Sequence, residues 1–226
     1  KWVIDDSNVN DLDYQQHIFA AYASYGYRFS KLTLKAGTRL EYTLNRGLSK
    51  SASGNLTFDN SNFNIVPYLN AAWKIDSRNT LSASYTRRLG RPSVTYLNPY
   101  IFEESPYSKM HGNPDLRTVV SDALTLTYRT SGETWDLTAR TYGSLCNNKI
   151  EYLSEVYPDG GKVSTYRNAV IHNHIDEMLS FSWSPGERFS LQTSAMLGYN
   201  WFHAPSLEQK NDGIGWSFDL SSNVDL

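Results

Sequence analysis

The sequence predicts an all-β fold, an antiparallel up-and-down transmembrane β-barrel with about nine strands present. Three observations lead there. Apolar and polar residues alternate at period two, connections are alternately short and long, and aromatic residues gather at both ends of the alternating stretches.

The alternation is cleanest over residues 32–45, where Leu32, Leu34, Ala36, Thr38, Leu40, Tyr42 and Leu44 oppose Thr33, Lys35, Gly37, Arg39, Glu41, Thr43 and Asn45. A strand sends successive side chains to opposite faces, so one side is apolar and the other charged. Upstream, Phe19, Ala21, Ala23, Tyr25, Tyr27 and Phe29 form the matching face of a first strand, joined through Ser30-Lys31. A third strand carries Phe63, Ile65, Pro67, Leu69, Ala71, Trp73 and Ile75, and a fourth Leu81, Ala83 and Tyr85. Leu124, Leu126 and Tyr128 mark a fifth, and Trp135, Leu137, Ala139, Thr141 and Leu145 a sixth. Leu179, Phe181 and Trp183 belong to a seventh. Phe189 through Trp201 form an eighth, and Ile214, Trp216, Phe218 and Leu220 a ninth.

Short connections fall near residues 30–31, 76–79, 129–133 and 184–187, and long ones near 46–61, 89–117, 147–163 and 203–212. Outer-membrane barrels sort their connections in this way, with short periplasmic turns and longer external loops. Tyr27, Phe29, Trp73, Tyr128, Trp135, Trp183 and Phe189 flank the short turns, whereas Tyr42, Phe63, Tyr85, Tyr199 and Trp201 lie toward the long loops. Ten residues from Phe189 to Tyr199 extend about 33 Å and, tilted by roughly 40°, project to about 25 Å, the height of a barrel's apolar band. Three charged residues break the pattern: Arg87, Asp122 and Glu177 fall on the apolar face. Either the apolar band is thin on those strands, β-bulges reset the parity, or Arg87 and Asp122 pair across adjacent strands.

Composition narrows the function classes. The chain has 226 residues, with 21 Lys and Arg against 23 Asp and Glu, so nothing marks a nucleic-acid partner. A single cysteine excludes an internal disulfide framework. Mean hydropathy is −0.50, and no apolar run approaches the roughly 20 residues of a spanning helix. The opening Lys1-Trp2-Val3-Ile4-Asp5-Asp6 lacks the apolar core of a signal peptide. No nucleophile elbow, P-loop or zinc-protease helix is present, so the expectation is neither an enzyme nor a cofactor protein. The competing class is a soluble all-β binding module, a sandwich or lectin, and a small barrel enzyme is a weaker third.

The stretch from Tyr85-Thr86-Arg87-Arg88 through Arg91-Pro92-Ser93 and Leu97-Asn98-Pro99 to Gly112-Asn113-Pro114-Asp115-Leu116 is distinctive. It resembles the outer-membrane β-barrel family of Bacteroidetes, related to the barrels of TonB-dependent receptors, as does Ala36-Gly37-Thr38-Arg39-Leu40-Glu41-Tyr42 upstream. Arg117-Thr118 stands where that family usually has Lys-Pro. The resemblance implies an outer membrane of a Gram-negative bacterium and a parent barrel of about 22 strands. It also implies nutrient uptake energised through TonB, with an N-terminal plug not contained in this single barrel segment, residues 1–226. The partners it implies are outer-membrane lipid, that plug, the TonB system and, as a further candidate, a surface lipoprotein. An odd strand count and two unpaired sheet edges fit a segment of a larger barrel, although residues 1–5 could supply a tenth strand.

Candidate site residues follow. Lys35, Arg39, Glu41, Arg88, Asp136 and Arg140 form a charged inner face that would line a lumen or bind a plug. Tyr96, Tyr100, Phe102 and Tyr107 in the 89–117 loop would stack on a substrate or pack the loop against the wall. His172, His174 and Asp176 share one strand face and are either metal ligands or polar lumenal residues. Cys146 reads as structural.

Overall fold

A computed structural model describes residues 9–204 and 213–225. Nine long strands follow one another in an antiparallel meander: β1 (Asn10–Phe29), β2 (Leu32–Ser51), β3 (Gly54–Lys74), β4 (Asn79–Gly90), then β7 (Val119–Ser131), β8 (Trp135–Val156), β9 (Lys162–Gly186), β10 (Phe189–His203) and β11 (Gly213–Asp225). Between β4 and β7 lie a short helix α1 (Val94–Leu97) and the small strands β5 (Phe102–Ser105) and β6 (Ser108–Met110). Among the described residues β1 and β11 each pair on one side only, so the sheet is a curved wall with two edges. The proposed tenth strand at residues 1–5 and most of the 203–212 loop lie outside the described residues.

All nine expected strands are present, but two of the expected long loops are strand. β2 and β3 pair without interruption from Leu32↔Trp73 to Ser51↔Gly54, across the whole of residues 46–61. β8 and β9 also pair up to Val156↔Lys162, across register shifts between Cys146 and Ile150. Above the membrane band neither face meets hydrocarbon, so period-two alternation disappears while backbone pairing continues. A strand of 20 residues, as β2 is, projects to about 50 Å at a tilt near 40°, twice the apolar band. The external hairpins therefore stand well clear of the bilayer. At the opposite end the turns are tight: Ser30 takes a left-handed φ of 47°, and Asp76 accepts hydrogen bonds from the backbone of Arg78 and Asn79 at 2.8 Å. The Asn79 side chain, then those backbone N–H groups, hold the Asp76 carboxyl below the usual carboxylate range.

The polarity of this wall is inverted relative to a soluble protein. Glu41, Thr43, Asn45 and Ser49 on β2 are each 1 % exposed, while Leu34 and Leu69 on the other face are 37 % and 47 % exposed. No second protein layer covers that apolar face among the described residues. The sandwich alternative requires such a layer, because its two apolar faces would pack on each other. Trp73, Tyr128, Trp135 and Trp183 are exposed near the short turns, and Tyr42, Phe63 and Trp216 toward the other end.

The charged exceptions are resolved by pairing. No register shift occurs along β4 and β7, where Arg87 stands opposite Asp122. Arg87 Nε and Nη2 donate to the two Asp122 oxygens at 2.8 and 2.9 Å, and the Tyr85 hydroxyl donates to Oδ1 at 2.6 Å. Glu177 accepts from Thr141 Oγ1 at 2.8 Å. A bidentate, hydrogen-bonded pair presents less bare charge to lipid than either residue alone.

Two outcomes check this orientation in the full-length protein. Leu34→Asp should lower the free energy of unfolding in lipid vesicles by about 2 kcal/mol in urea titrations, whereas Thr33→Asp, on the inner face, should be nearly neutral. Asp122→Ala strands Arg87 against hydrocarbon and should cost about 2–4 kcal/mol, most of it recovered when Arg87 and Asp122 are both changed to Leu.

Candidate functional site

The candidate site is the inner face of the wall together with residues 91–118, which leave the end of β4 and strap across that face before re-entering β7. The inner positions follow from the registers: Gly37, Tyr68, Thr86, Ala123, Ser144, His174 and Asn200 form one cross-strand row. Close approach is required within this row. A Cβ on Gly37 would lie 2.6 Å from the Tyr68 ring, so the ring lies across bare backbone.

The strap is anchored by the residues of its own motifs. Arg91 donates to Glu41 Oε1 through Nε at 3.0 Å and pairs with it again through Nη2, while Arg39 Nη2 holds the other carboxylate oxygen at 2.6 Å. Asn98 donates to Asn10 Oδ1 at 2.8 Å and accepts the Tyr100 N–H. Gly112 N–H donates to Asn98 O at 2.8 Å, and Asn113 N–H donates to Tyr96 O at 2.6 Å, stitching the Gly-Asn-Pro segment to the Leu-Asn-Pro segment. The fit at Gly112 excludes a side chain, since a Cβ there would meet Asn98 O at 2.5 Å and Tyr96 O at 2.6 Å.

Both walls then grip the strap. Asn60 of β3 donates to the carbonyls of Pro114 and Leu116 at 2.7 Å, and Asn113 donates to Tyr166 O of β9 at 3.0 Å. Asn168 of β9 accepts the Arg117 N–H at 2.9 Å and donates to Arg117 O at 3.0 Å. Thr118 N–H donates to Asn62 at 3.2 Å, and Thr118 O accepts from Asn148 at 2.8 Å. This explains the departure from Lys-Pro: proline at position 118 has no N–H to give Asn62. β6 adds a parallel pairing onto β9, Ser108↔Lys162 to Met110↔Ser164. Leu97 and Leu116, together with Phe58, form a small apolar core under the strap, flanked by Leu12, Tyr14, Tyr96, Ile150 and Tyr166.

The sequence-predicted aromatics divide accordingly. Tyr96 stacks on Tyr166 at 4.0 Å, and Tyr100, 4 % exposed, meets Phe102 edge-on at 4.6 Å. These three rings belong to the packing of the strap. Tyr107 is 71 % exposed beside the β8–β9 tip, where its carbonyl accepts the Lys162 N–H at 2.7 Å. Lys35, Arg39, Glu41, Arg88, Asp136 and Arg140 all face inward, but they do not form one cluster. Lys35 lies over the Tyr68 ring at 5.9 Å, Glu41 is clamped by two arginines, and Asp136 lines a recess of about 400 Å³ with Thr138, Ser180, Ser182 and Gln192 near the short turns.

His172, His174 and Asp176 also face inward. His172 stacks on Phe202 at 4.1 Å, and His174 Nε2 is 3.8 Å from Asp176. Among the described residues no three His, Cys, Asp or Glu side chains converge to hold a metal ion. Cys146 is buried opposite His172. The asparagine ladder that binds the strap (Asn45, Asn60, Asn62, Asn168) was not among the predicted site residues. Its signal was the unusual run of inward asparagines on β3: Asn60, Asn62 and Asn64.

A family model described as the outer membrane protein beta-barrel family matches residues 1–226. The chain belongs to that family. Family membership and the exposed apolar belt together place this barrel wall in the outer membrane. Among solved structures it is similar to the copper transporter OprC, at 14 % identity with TM-score 0.64, covering 92 % of this chain and 33 % of that one. The FrpB iron transporter from Neisseria meningitidis (F3-3 variant) matches at 13 % identity and TM-score 0.63, covering 93 % and 31 %. The siderophore receptor PiuA from Acinetobacter baumannii matches at 9 % identity and TM-score 0.58, covering 95 % and 37 %. The chain thus spans about a third of the length of these structures, and at such identities the likeness is one of fold. No curated protein matches it in sequence.

Gly112→Ala should dislodge the strap without unfolding the wall. Limited proteolysis is expected to cut within residues 91–118 of the variant and not of the parent, while the barrel keeps its heat-modifiable mobility. Leu97→Ala, which empties a fully buried site, should loosen the same segment by about 2–5 kcal/mol.

Proposed function

We propose that this chain is the barrel wall of a TonB-dependent transporter of the Bacteroidetes type, which takes up nutrients across the outer membrane. The observation that carries the reading is the inverted wall, with lipid-facing apolar residues outside and an interior lined by amides, hydroxyls and charges. A surface of that kind suits a passage or a plug, not a lipid core. The similar solved structures, a copper transporter, an iron transporter and a siderophore receptor, support it.

In this reading the wall is chemically passive, with no catalytic residues and no bound cofactor. The plug and the TonB contact belong to the remainder of a longer chain. Lys35, Arg39, Glu41, Arg88, Asp136 and Arg140 face that plug or the substrate path, and His172, His174 and Asp176 are polar lumenal residues. Tyr107 is the loop aromatic free to stack on an arriving ligand, while Tyr96, Tyr100 and Phe102 keep the strap in place. Val156 and Tyr157, exposed at the β8–β9 tip beside Tyr107, offer an apolar seat for a surface lipoprotein.

The test compares wild-type cells, cells lacking the gene and cells lacking TonB, all fed a defined mixture of bulky nutrients. Depletion of at least one component from the medium should be lost in both mutant strains. Uptake of every component at wild-type rates in either mutant would refute the transport reading.

A further inference from the structure

The inner wall is unevenly charged. On β1–β4 and β7 its inward positions carry Arg28, Lys35, Arg39, Lys74, Arg88 and Arg129 against one carboxylate, Glu41. On β8–β11 the balance reverses, with Asp136, Asp176, Asp219 and Asp225 against Arg140 and Lys162, while Lys149, over the Phe202 ring, is paired with Glu151. Arg28, Lys35, Lys74 and Arg129 lie toward the short turns, and Arg39 and Arg88 toward the end of β4 from which the strap departs.

Gly37 pairs with Tyr68 and Tyr68 with Thr86. Arg39 and Arg88 each lie two residues further from the short turns along β2 and β4, just beyond the last β3–β4 pair, Tyr68↔Thr86. Arg91 follows three residues after Arg88 and reaches back to Glu41, whose single negative charge is shared by Arg39 and Arg91. One of those two guanidiniums is therefore uncompensated. Arg88 itself is exposed and makes no hydrogen bond or ion pair among the described residues; its cross-strand neighbour is Ser121. The nearest carboxylate along β7, Asp122, points to the other face and is committed to Arg87. Opposite Glu41, the Asn64 Nδ2 donor is buried with no acceptor among the described residues. Several donors and a net positive charge thus converge on one part of the wall with too few acceptors.

We infer that this part of the wall is an anion-binding subsite, in which Arg88, with Arg39 and Asn64 beside it, takes a carboxylate or phosphate group. A guanidinium fork matches the paired oxygens of either group, and the facing wall of β8–β11 lacks a comparable cationic cluster. The anion comes either from a substrate in the lumen or from an acidic side chain of a plug. The subsite rests on the inner face being a lumen, as in the proposed transport function.

The test uses the full-length protein in detergent, with Arg88→Gln and Arg88→Lys, and heat-modifiable mobility to confirm that each barrel is folded. Inorganic phosphate is titrated calorimetrically into each protein at low salt and again at about 0.5 M NaCl, where exposed charges are screened. In parallel, the urea concentration at which trypsin first cuts the segment filling the barrel is recorded. A substrate anion is indicated if phosphate binds the parent, weakens about tenfold or more in Arg88→Gln, and is largely kept in Arg88→Lys. A plug carboxylate is indicated if the parent ignores phosphate but Arg88→Gln releases the filling segment at lower urea than Arg88→Lys. Unchanged phosphate binding together with an unchanged urea threshold in Arg88→Gln would overturn the inference. Loss of phosphate binding in that variant, in a protein whose uptake proves independent of TonB, would remove the transport reading and leave the subsite standing.

Discussion

Hydrocarbon against one face of the sheet is the constraint on which the rest of this structure depends. In a bilayer every backbone N–H and C=O has to be satisfied within the protein, and continuous antiparallel pairing achieves this strand by strand. Once the apolar residues are turned outward, the polar ones have to share the interior. Burying Glu41, Asn45 and Asn60 would be costly without partners. Each has them: two arginines for Glu41, and for the asparagines one another, Tyr14 and the strap carbonyls. The inner face is therefore a hydrogen-bonded network, and among the described residues a small apolar core sits under the strap.

The strap converts that network into a shape. It leaves β4 and re-enters at β7, yet it is held by β1, β2 and β3 on one side and by β9 on the other, so it ties distant strands across the inner face. Its fixed points are side chains bonded to backbone, chiefly Asn60, Asn113 and Asn168, which hold position more strictly than surface ion pairs do. A segment anchored in this way lies across the inner face, and its tip, residues 103–107, is exposed to solvent. It also brings Arg91 onto Glu41, and Arg88 has no counter-charge among the described residues.

How much of this was legible in the sequence follows from where hydrocarbon acts. Between the aromatic belts the bilayer imposes strict alternation, so the facing of Leu34, Leu69, Lys35 and Arg88 could be read residue by residue. Beyond the belts water bathes the hairpins, alternation is no longer enforced, and residues 46–61 and 147–163 read as loops although they pair as strands. The Arg87–Asp122 pair was legible as one of three options because the two residues sit on adjacent strands, and the unshifted register and bidentate contact singled it out. The strap motifs were visible, but their roles depend on contacts between residues about 50 positions apart, such as Asn60 with Leu116 and Asn113 with Tyr166, which no local pattern encodes.

The claim that lipid is the solvent for the apolar face is tested most directly by site-directed spin labels placed singly at residues 32 to 44 of the full-length protein in bilayers. Collisions with dissolved oxygen, which partitions into hydrocarbon, should be frequent at positions 32, 34, 36, 38, 40 and 42 and infrequent at the positions between. A flat profile, or maxima at 33, 35 and 37, would contradict the account.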